Sequence, residues 1–238
     1  MNIHRITYNQ KINSCSLYFI GCNFRCLGCY WKEIYGKIDF RRLKLLNLKE
    51  TLNILSRVNP KRVYILTGDP KPNPEFNSLP QTLFDRFGCE VRLLTNGFIL
   101  PDLEGLKHVS ISIKAYSDTI HMWYTGKPNK IPLRNFRYLY DQGIELSTSS
   151  VYIPGYIDID EIERIAQFIS NVDPKISYRV IGYMPVRGLK FRKPNYEEVE
   201  RVANIARRYL ENVTFSRPEG EDYTGVIDLF SNHLRRKK

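Results

Sequence analysis

The sequence predicts an α/β protein built on a parallel sheet, and three observations lead there. Stretches rich in β-branched and aromatic residues alternate with stretches of helical apolar spacing six times, at intervals of roughly 25 to 40 residues. Each helix can then cross over between parallel strands. Residues of unusual chemistry gather just past the carboxyl end of each strand. No Gly/Ser-rich linker, internal repeat or low-complexity tract divides the 238 residues, so one domain over 1–238 accounts for the chain. Six such units suit an open doubly wound sheet or an incomplete barrel, and in both architectures ligands bind at the carboxyl ends of the strands.

The elements follow in order. Ser16-Leu-Tyr-Phe-Ile-Gly21 is the first strand, and Leu48, Leu52 and Leu55 place a helix over Leu46–Val58. Lys61–Leu66 is a strand that runs into Thr67-Gly-Asp-Pro70, and the segment Pro72-Asn-Pro-Glu-Phe76 begins with loop punctuation and leads into a helix reaching Phe87. Glu90–Leu94 is a strand stopped by Thr95-Asn-Gly97. A short helix near Pro101–Leu106 precedes strand Val109–Ile113, which ends at Lys114. Helix Leu133–Asp141 closes at Gly143, and strand Ile144–Ile153 stops at Pro154-Gly155. Helix Asp158–Ser170 begins with acidic residues suited to the positive end of its dipole. Strand Ile176–Tyr183, helix Tyr196–Leu210 and a short strand at Val213–Phe215 complete the list, with a basic tail behind them.

Apolar content of 42% and aromatic content of 13% are those of a folded globular chain. No stretch approaches the ~18 apolar residues that cross a bilayer, and the N-terminus has no apolar signal segment, so a cytoplasmic location without membrane contact is expected. The net charge of +11 asks for an acidic partner or substrate, with nucleic acid one option and a solvated surface the plain alternative. Its densest patches are Arg187-Gly-Leu-Lys-Phe-Arg-Lys193, offering Arg187, Lys190 and Arg192 as a substrate or partner surface, and Arg235–Lys238.

Five cysteines, three of them in Cys22-Asn-Phe-Arg-Cys26-Leu-Gly-Cys29, do not form a disulfide framework. Closely spaced thiolates hold iron–sulfur clusters, and three rather than four leave one iron open for chemistry. A structural zinc site needs four ligands, usually as two separated pairs, and no second pair follows. Iron with an open position, zinc and three buried structural cysteines remain the readings of spacing alone, with a non-catalytic iron–sulfur or zinc-binding module as the alternative to an enzyme. Cys15 and Cys89 read as small apolar core residues.

The Cys-x3-Cys-x2-Cys run after the first strand resembles the radical S-adenosylmethionine (radical SAM) superfamily. The stretches Thr95-Asn-Gly-Phe98, Ser112–His121, Thr125-Gly126, Leu133-x-Asn135-Phe136, Tyr152-Ile-Pro-Gly155 and Ile181-Gly-Tyr183 resemble its pyruvate formate-lyase activating enzyme branch, from about Ser16 to Arg192. The resemblance implies a partial (β/α)6 TIM-like barrel over about 16–192, with a short C-terminal helical and basic extension over about 193–238. It implies a 4Fe–4S cluster on Cys22, Cys26 and Cys29, S-adenosylmethionine on its open iron, and a one-electron donor of the ferredoxin or flavodoxin type. Catalysis would need no residue beyond those touching cluster and cofactor. Tyr30, Thr67, Gly68, Asp69, Asn96, Lys114, Ser149 and Met184 become candidate cofactor contacts, with Phe24 and Tyr30 shielding the cluster. The hydrogen donor implied is a glycine of a partner glycyl radical enzyme, with a small molecule, an RNA base or a peptide as alternatives. The chain departs from the pattern at Ser112, where the branch has the Asp of an Asp-x-Lys pair, and at Gly28, where many members have an aromatic.

Overall fold

Alternation along the strands divides the sheet into a dry face and a cavity face, and this positions everything else. The computed structural model describes residues 1–31, 43–66, 74–216 and 224–232. The chain opens with antiparallel strands β1 (Ile3–Asn9) and β2 (Ser14–Phe19). Six further strands run parallel to β2, each beside the last: β3 (Arg62–Leu66), β4 (Glu90–Thr95), β5 (Leu106–Ser112), β6 (Glu145–Tyr152), β7 (Ser177–Gly182) and β8 (Val213–Phe215). Strand β9 (Val226–Ser231) pairs antiparallel with β1, so the order is β8-β7-β6-β5-β4-β3-β2-β1-β9. The nine-stranded sheet is open, its edges being β8 and β9. The expected six-stranded partial barrel is its centre, β2 to β7.

Helices α1 (Leu48–Leu55), α2 (Pro74–Asn77), α3 (Leu79–Phe87), α4 (Asp118–Thr125), α5 (Lys130–Asp141), α6 (Ile159–Ser170) and α7 (Tyr196–Ala206) occupy the connections. Asn47 with Glu50, and Asn195 with Glu198, form capping boxes that start α1 and α7 by satisfying orphan backbone donors. Asp158 caps α6 through the Ile159 amide. Val63, Ile65, Val91, Leu93, Val109 and Ile111 are fully buried and join Leu55, Leu79, Leu83, Phe136, Leu139 and Ile165 in one core. Each large aliphatic side chain so buried stabilises by about 1.5–3 kcal/mol. Tyr18, Leu66, Leu94, Ser110, Ser112 and Ser149 alternate with them, face the other way and line a cavity.

The structure corrects four local expectations. Pro101–Leu106 is not a helix: only three residues separate Pro101 from Gly105, where a left-handed turn (φ +77) leads straight into β5. Added at Gly105, a Cβ would lie 2.7 Å from Pro80 O, so glycine permits the close approach to α3. The helix expected to reach Phe87 is split into α2 and α3, with Pro80 in the first turn of the second. Helix α4 arises in a stretch to which sequence pattern assigned no element. The C-terminal extension adds β9, a partly exposed edge strand tied to β1 by Arg5 Nε donating to Asp228 Oδ1 at 2.6 Å. Among the described residues no helix is long and apolar enough to cross a membrane.

Candidate active site

Three thiols and a row of inward-facing strand residues meet in one cavity of about 280 Å³. Cys22, Cys26 and Cys29 contribute from the loop after β2, with Phe24 and Trp31; Asn96 comes from the turn after β4, Lys114 from beyond β5, and Ser149 from β6. Sequence reasoning had singled out all six of the residues Cys22, Cys26, Cys29, Asn96, Lys114 and Ser149. Tyr30 and Met184 lie outside the lining, 57% and 54% exposed. Trp31 lines the cavity where Tyr30 was expected, T-stacked on His4 at 6.1 Å. Thr67, Gly68 and Asp69 fall outside the described residues, as does Arg235–Lys238. Arg187, Lys190 and Arg192 are exposed beyond β7, and Arg192 forms a two-pronged pair with Glu198.

The cysteine loop is clamped by α4. Arg25 N donates to Thr125 O at 2.8 Å and Leu27 N to Tyr124 O at 2.9 Å, using carbonyls that a helix end leaves without intrahelical partners. Gly126 (φ +75) ends α4 in the left-handed conformation. Phe24 stands edge-on to both Phe98 (5.5 Å) and His121 (5.4 Å). His121 itself is buried, with Nδ1 2.6 Å from Lys127 O, and burial holds its pKa below the ordinary value. It therefore supports Phe24 as a neutral ring.

Gly28 explains the missing aromatic. A Cβ there would meet Tyr183 Cε2 at 2.7 Å and Tyr124 Oη at 3.1 Å, so two aromatics from elsewhere fill the space a larger side chain would take. Burial, and then the nearby Cys26 and Cys29, push the Tyr124 phenol well above its ordinary pKa, leaving it a neutral hydrogen-bond donor.

Donors converge on one sulfur. Phe24 N donates to Cys22 Sγ at 3.4 Å and Asn96 Nδ2 reaches it at 3.7 Å. Asn96 also donates to Asn23 Oδ1 (2.8 Å) and accepts from Phe98 N (3.0 Å), and Asn135 Nδ2 donates to Gly97 O (2.9 Å), so the Asn96 turn is held from both sides. Such bonds suit a thiolate ligand, whose charge they stabilise. Cys15 and Cys89 present the contrast: burial pushes their thiols up to about 12 and about 11, which keeps them protonated and unfit as ligands. Among the described residues no three His, Cys, Asp or Glu side chains come together as they would around a single metal ion. An iron–sulfur cluster would not require that, because each thiolate would bind a different iron.

Lys114 Nζ donates to Ser112 Oγ at 2.7 Å, so the departure from Asp-x-Lys keeps the hydrogen bond but supplies no neutralising charge. The backbone before the next helix is pinned by Glu161, a buried carboxylate accepting from Tyr116 N and Ser117 N and, at 2.7 Å, from Ser117 Oγ. Sequence reasoning treated Glu161 only as a dipole-compensating acid of α6, although its place beside Ile162 and Ile165 on the apolar face marked it as buried.

Residues 17–169 match the radical SAM superfamily. A protein of Methanocaldococcus jannaschii provisionally named a glycyl-radical enzyme activating enzyme is 32% identical over 230 residues, covering 91% of this chain and 84% of that one. The chain belongs to the radical SAM superfamily. It is an enzyme of that class, and the superfamily's cofactors are a 4Fe–4S cluster and S-adenosylmethionine. A GTP 3′,8-cyclase of Staphylococcus saprophyticus is 28% identical over 180 residues, 69% of this chain and 52% of the cyclase, so the chain spans about half of that relative. In fold, the structure is similar to Streptococcus suis SuiB bound to S-adenosylmethionine, with a TM-score of 0.63 at 16% identity over 86% of this chain and 53% of that one. The open sheet is thus the partial barrel of this superfamily.

Proposed function

We propose that Cys22, Cys26 and Cys29 hold the 4Fe–4S cluster, that the cavity they line receives S-adenosylmethionine, and that the hydrogen abstracted comes from a glycine of a partner glycyl radical enzyme. The residues fit both groups. The thiols share one cavity, hydrogen-bond donors stand at Cys22 Sγ, and Lys114 supplies a cation for a carboxylate, while Ser110, Ser112, Ser149 and Asn96 offer hydroxyl and amide groups. Tyr18, Leu66, Leu94 and Trp31 supply apolar wall for a base or ribose edge. When bound, the cluster supplies one electron that splits the sulfonium into methionine and a 5′-deoxyadenosyl radical, which takes a hydrogen atom. The chain's own part is to bind, orient and exclude water. Phe24, buried between Phe98 and His121, dries the cysteine loop.

The observation that carries the glycine reading is the relative whose name assigns it to this class, aligned over 91% of the present chain. The cyclase relative favours a second reading, a small-molecule nucleotide as hydrogen donor, supported over 69% of the chain. Anaerobic reconstitution separates them. The chain should bind about four irons and release methionine and 5′-deoxyadenosine on reduction, and a candidate partner should then show a glycyl radical by electron paramagnetic resonance. Cys26→Ala should abolish cluster assembly, whereas Cys89→Ala should keep it. Iron binding without reductive cleavage defeats the radical reading; cleavage stimulated by GTP but by no glycyl radical enzyme defeats the glycine reading alone.

A further inference from the structure

A second opening meets the cavity at Cys22. It is a notch of about 400 Å³ lined by Cys22, Asn23, Arg25, Thr125, Gly126 and Lys127, and it shares Cys22 and no other lining residue with the cofactor cavity. Cys22, Arg25 and Lys127 are all exposed, while Cys26 is buried, so Cys22 is the proposed cluster ligand nearest the surface here. Neither cation has a carboxylate partner among the described residues: Lys127 Nζ stands 5.8 Å over the Phe98 ring, and Arg25 is held by its backbone alone. Two uncompensated cations beside a sulfur leading to the cluster form an electropositive rim within a chain of net charge +11.

We propose that this notch is where an acidic one-electron donor protein docks, with Arg25 and Lys127 as its contacts and Cys22 as the point at which the electron enters. The inference rests on the assignment of the cluster to Cys22, Cys26 and Cys29. The step is a pure electron transfer: the reduced flavin or iron–sulfur group of the donor loses one electron, the oxidised cluster gains it, and no bond forms or breaks. Tunnelling falls steeply with distance, so an exposed ligand thiolate is the favourable terminus. The separate lining lets donor and cofactor approach the cluster from different openings. A nucleic-acid strand is the less suitable occupant, because none of the residues lining the notch is aromatic and no base could stack there.

The test uses the reconstituted holoenzyme and its Arg25→Glu/Lys127→Glu variant, with a reduced flavodoxin and a reduced ferredoxin as probes. At low ionic strength the variant should be reduced by the better donor at least about tenfold more slowly, with the difference shrinking as salt rises. Its affinity for labelled donor should fall in parallel. Iron content and reduction by photoreduced deazaflavin, a small donor that needs no docking face, should be unchanged. Equal rates and affinities with both donors overturn the proposal while leaving the cluster assignment standing, as does a loss confined to binding of a single-stranded oligonucleotide. Failure of the wild-type chain to assemble a cluster overturns the assignment and the docking site together.

Discussion

Two residues give the clearest tests of the site at the scale of single side chains. Asn96 was legible as a strand-end turn residue, but only the fold brings its amide to Cys22 Sγ at 3.7 Å, across 74 positions of chain. Asn96→Leu removes a donor to that sulfur and should make the cluster harder to reduce. One lost hydrogen bond of about 1 kcal/mol corresponds to on the order of 40 mV for a one-electron couple, read in a redox titration followed by electron paramagnetic resonance. Lys114 was legible as a charge ending an apolar strand. Its partner Ser112 is neutral, so the lysine keeps its full charge for a carboxylate. Lys114→Met should weaken S-adenosylmethionine binding by roughly ten- to a hundredfold, the worth of a charged hydrogen bond, without loss of bound iron. An unchanged affinity by equilibrium binding would remove Lys114 from the cofactor site. Tyr30 and Trp31 show why other residues were not legible: they are chain neighbours, both aromatic, and only the path of the loop decides which turns inward.

The cysteine loop acts as one element with α4 and the end of β7. Two backbone hydrogen bonds join it to α4, and the Tyr124 and Tyr183 rings close over Gly28. Gly28→Ala should therefore push against a ring carbon 2.7 Å away. Overpacking of this kind costs about 1–3 kcal/mol, which should appear as a lower melting temperature and poorer cluster retention. Tyr183→Leu in the same chain should restore part of both, because it withdraws the ring that the new methyl meets. No rescue would mean that glycine is required there for its backbone and not for space. The strands and longer helices were legible because their periodicity is local. Helix α4 was not, since its eight residues include two threonines, a tryptophan and a tyrosine of modest helix propensity; its place comes from docking the cysteine loop.

Across the whole molecule, the buried His4 and His121 and the half-buried His108 set an acid limit on stability. His4, His108 and His121 all have pKa values below the ordinary 6.5, each chiefly from burial. A group with a depressed folded-state pKa binds its proton more readily in the unfolded chain, so stability falls as pH drops below about 6.5 towards the folded-state values. The cluster-free protein should accordingly lose denaturant resistance between pH 7.5 and 5.5, measured as an earlier urea midpoint. An unchanged midpoint over that range would mean that these rings are hydrated or already charged in the fold.

Local pattern in the sequence was enough to determine the parallel α/β architecture, the cysteine triplet and the carboxyl-end turns, because period-2 and period-3.6 patterns and ligand spacing are properties of near neighbours. Tertiary structure alone decided how those parts meet. It placed β9 against β1 from the far end of the chain, filled the space beside Gly28 with two distant tyrosines, and turned Trp31 inward in place of Tyr30. It also set Arg25 and Lys127 around Cys22. Each of these depends on contacts between residues far apart in the chain, where packing and backbone path, not local propensity, choose the partner.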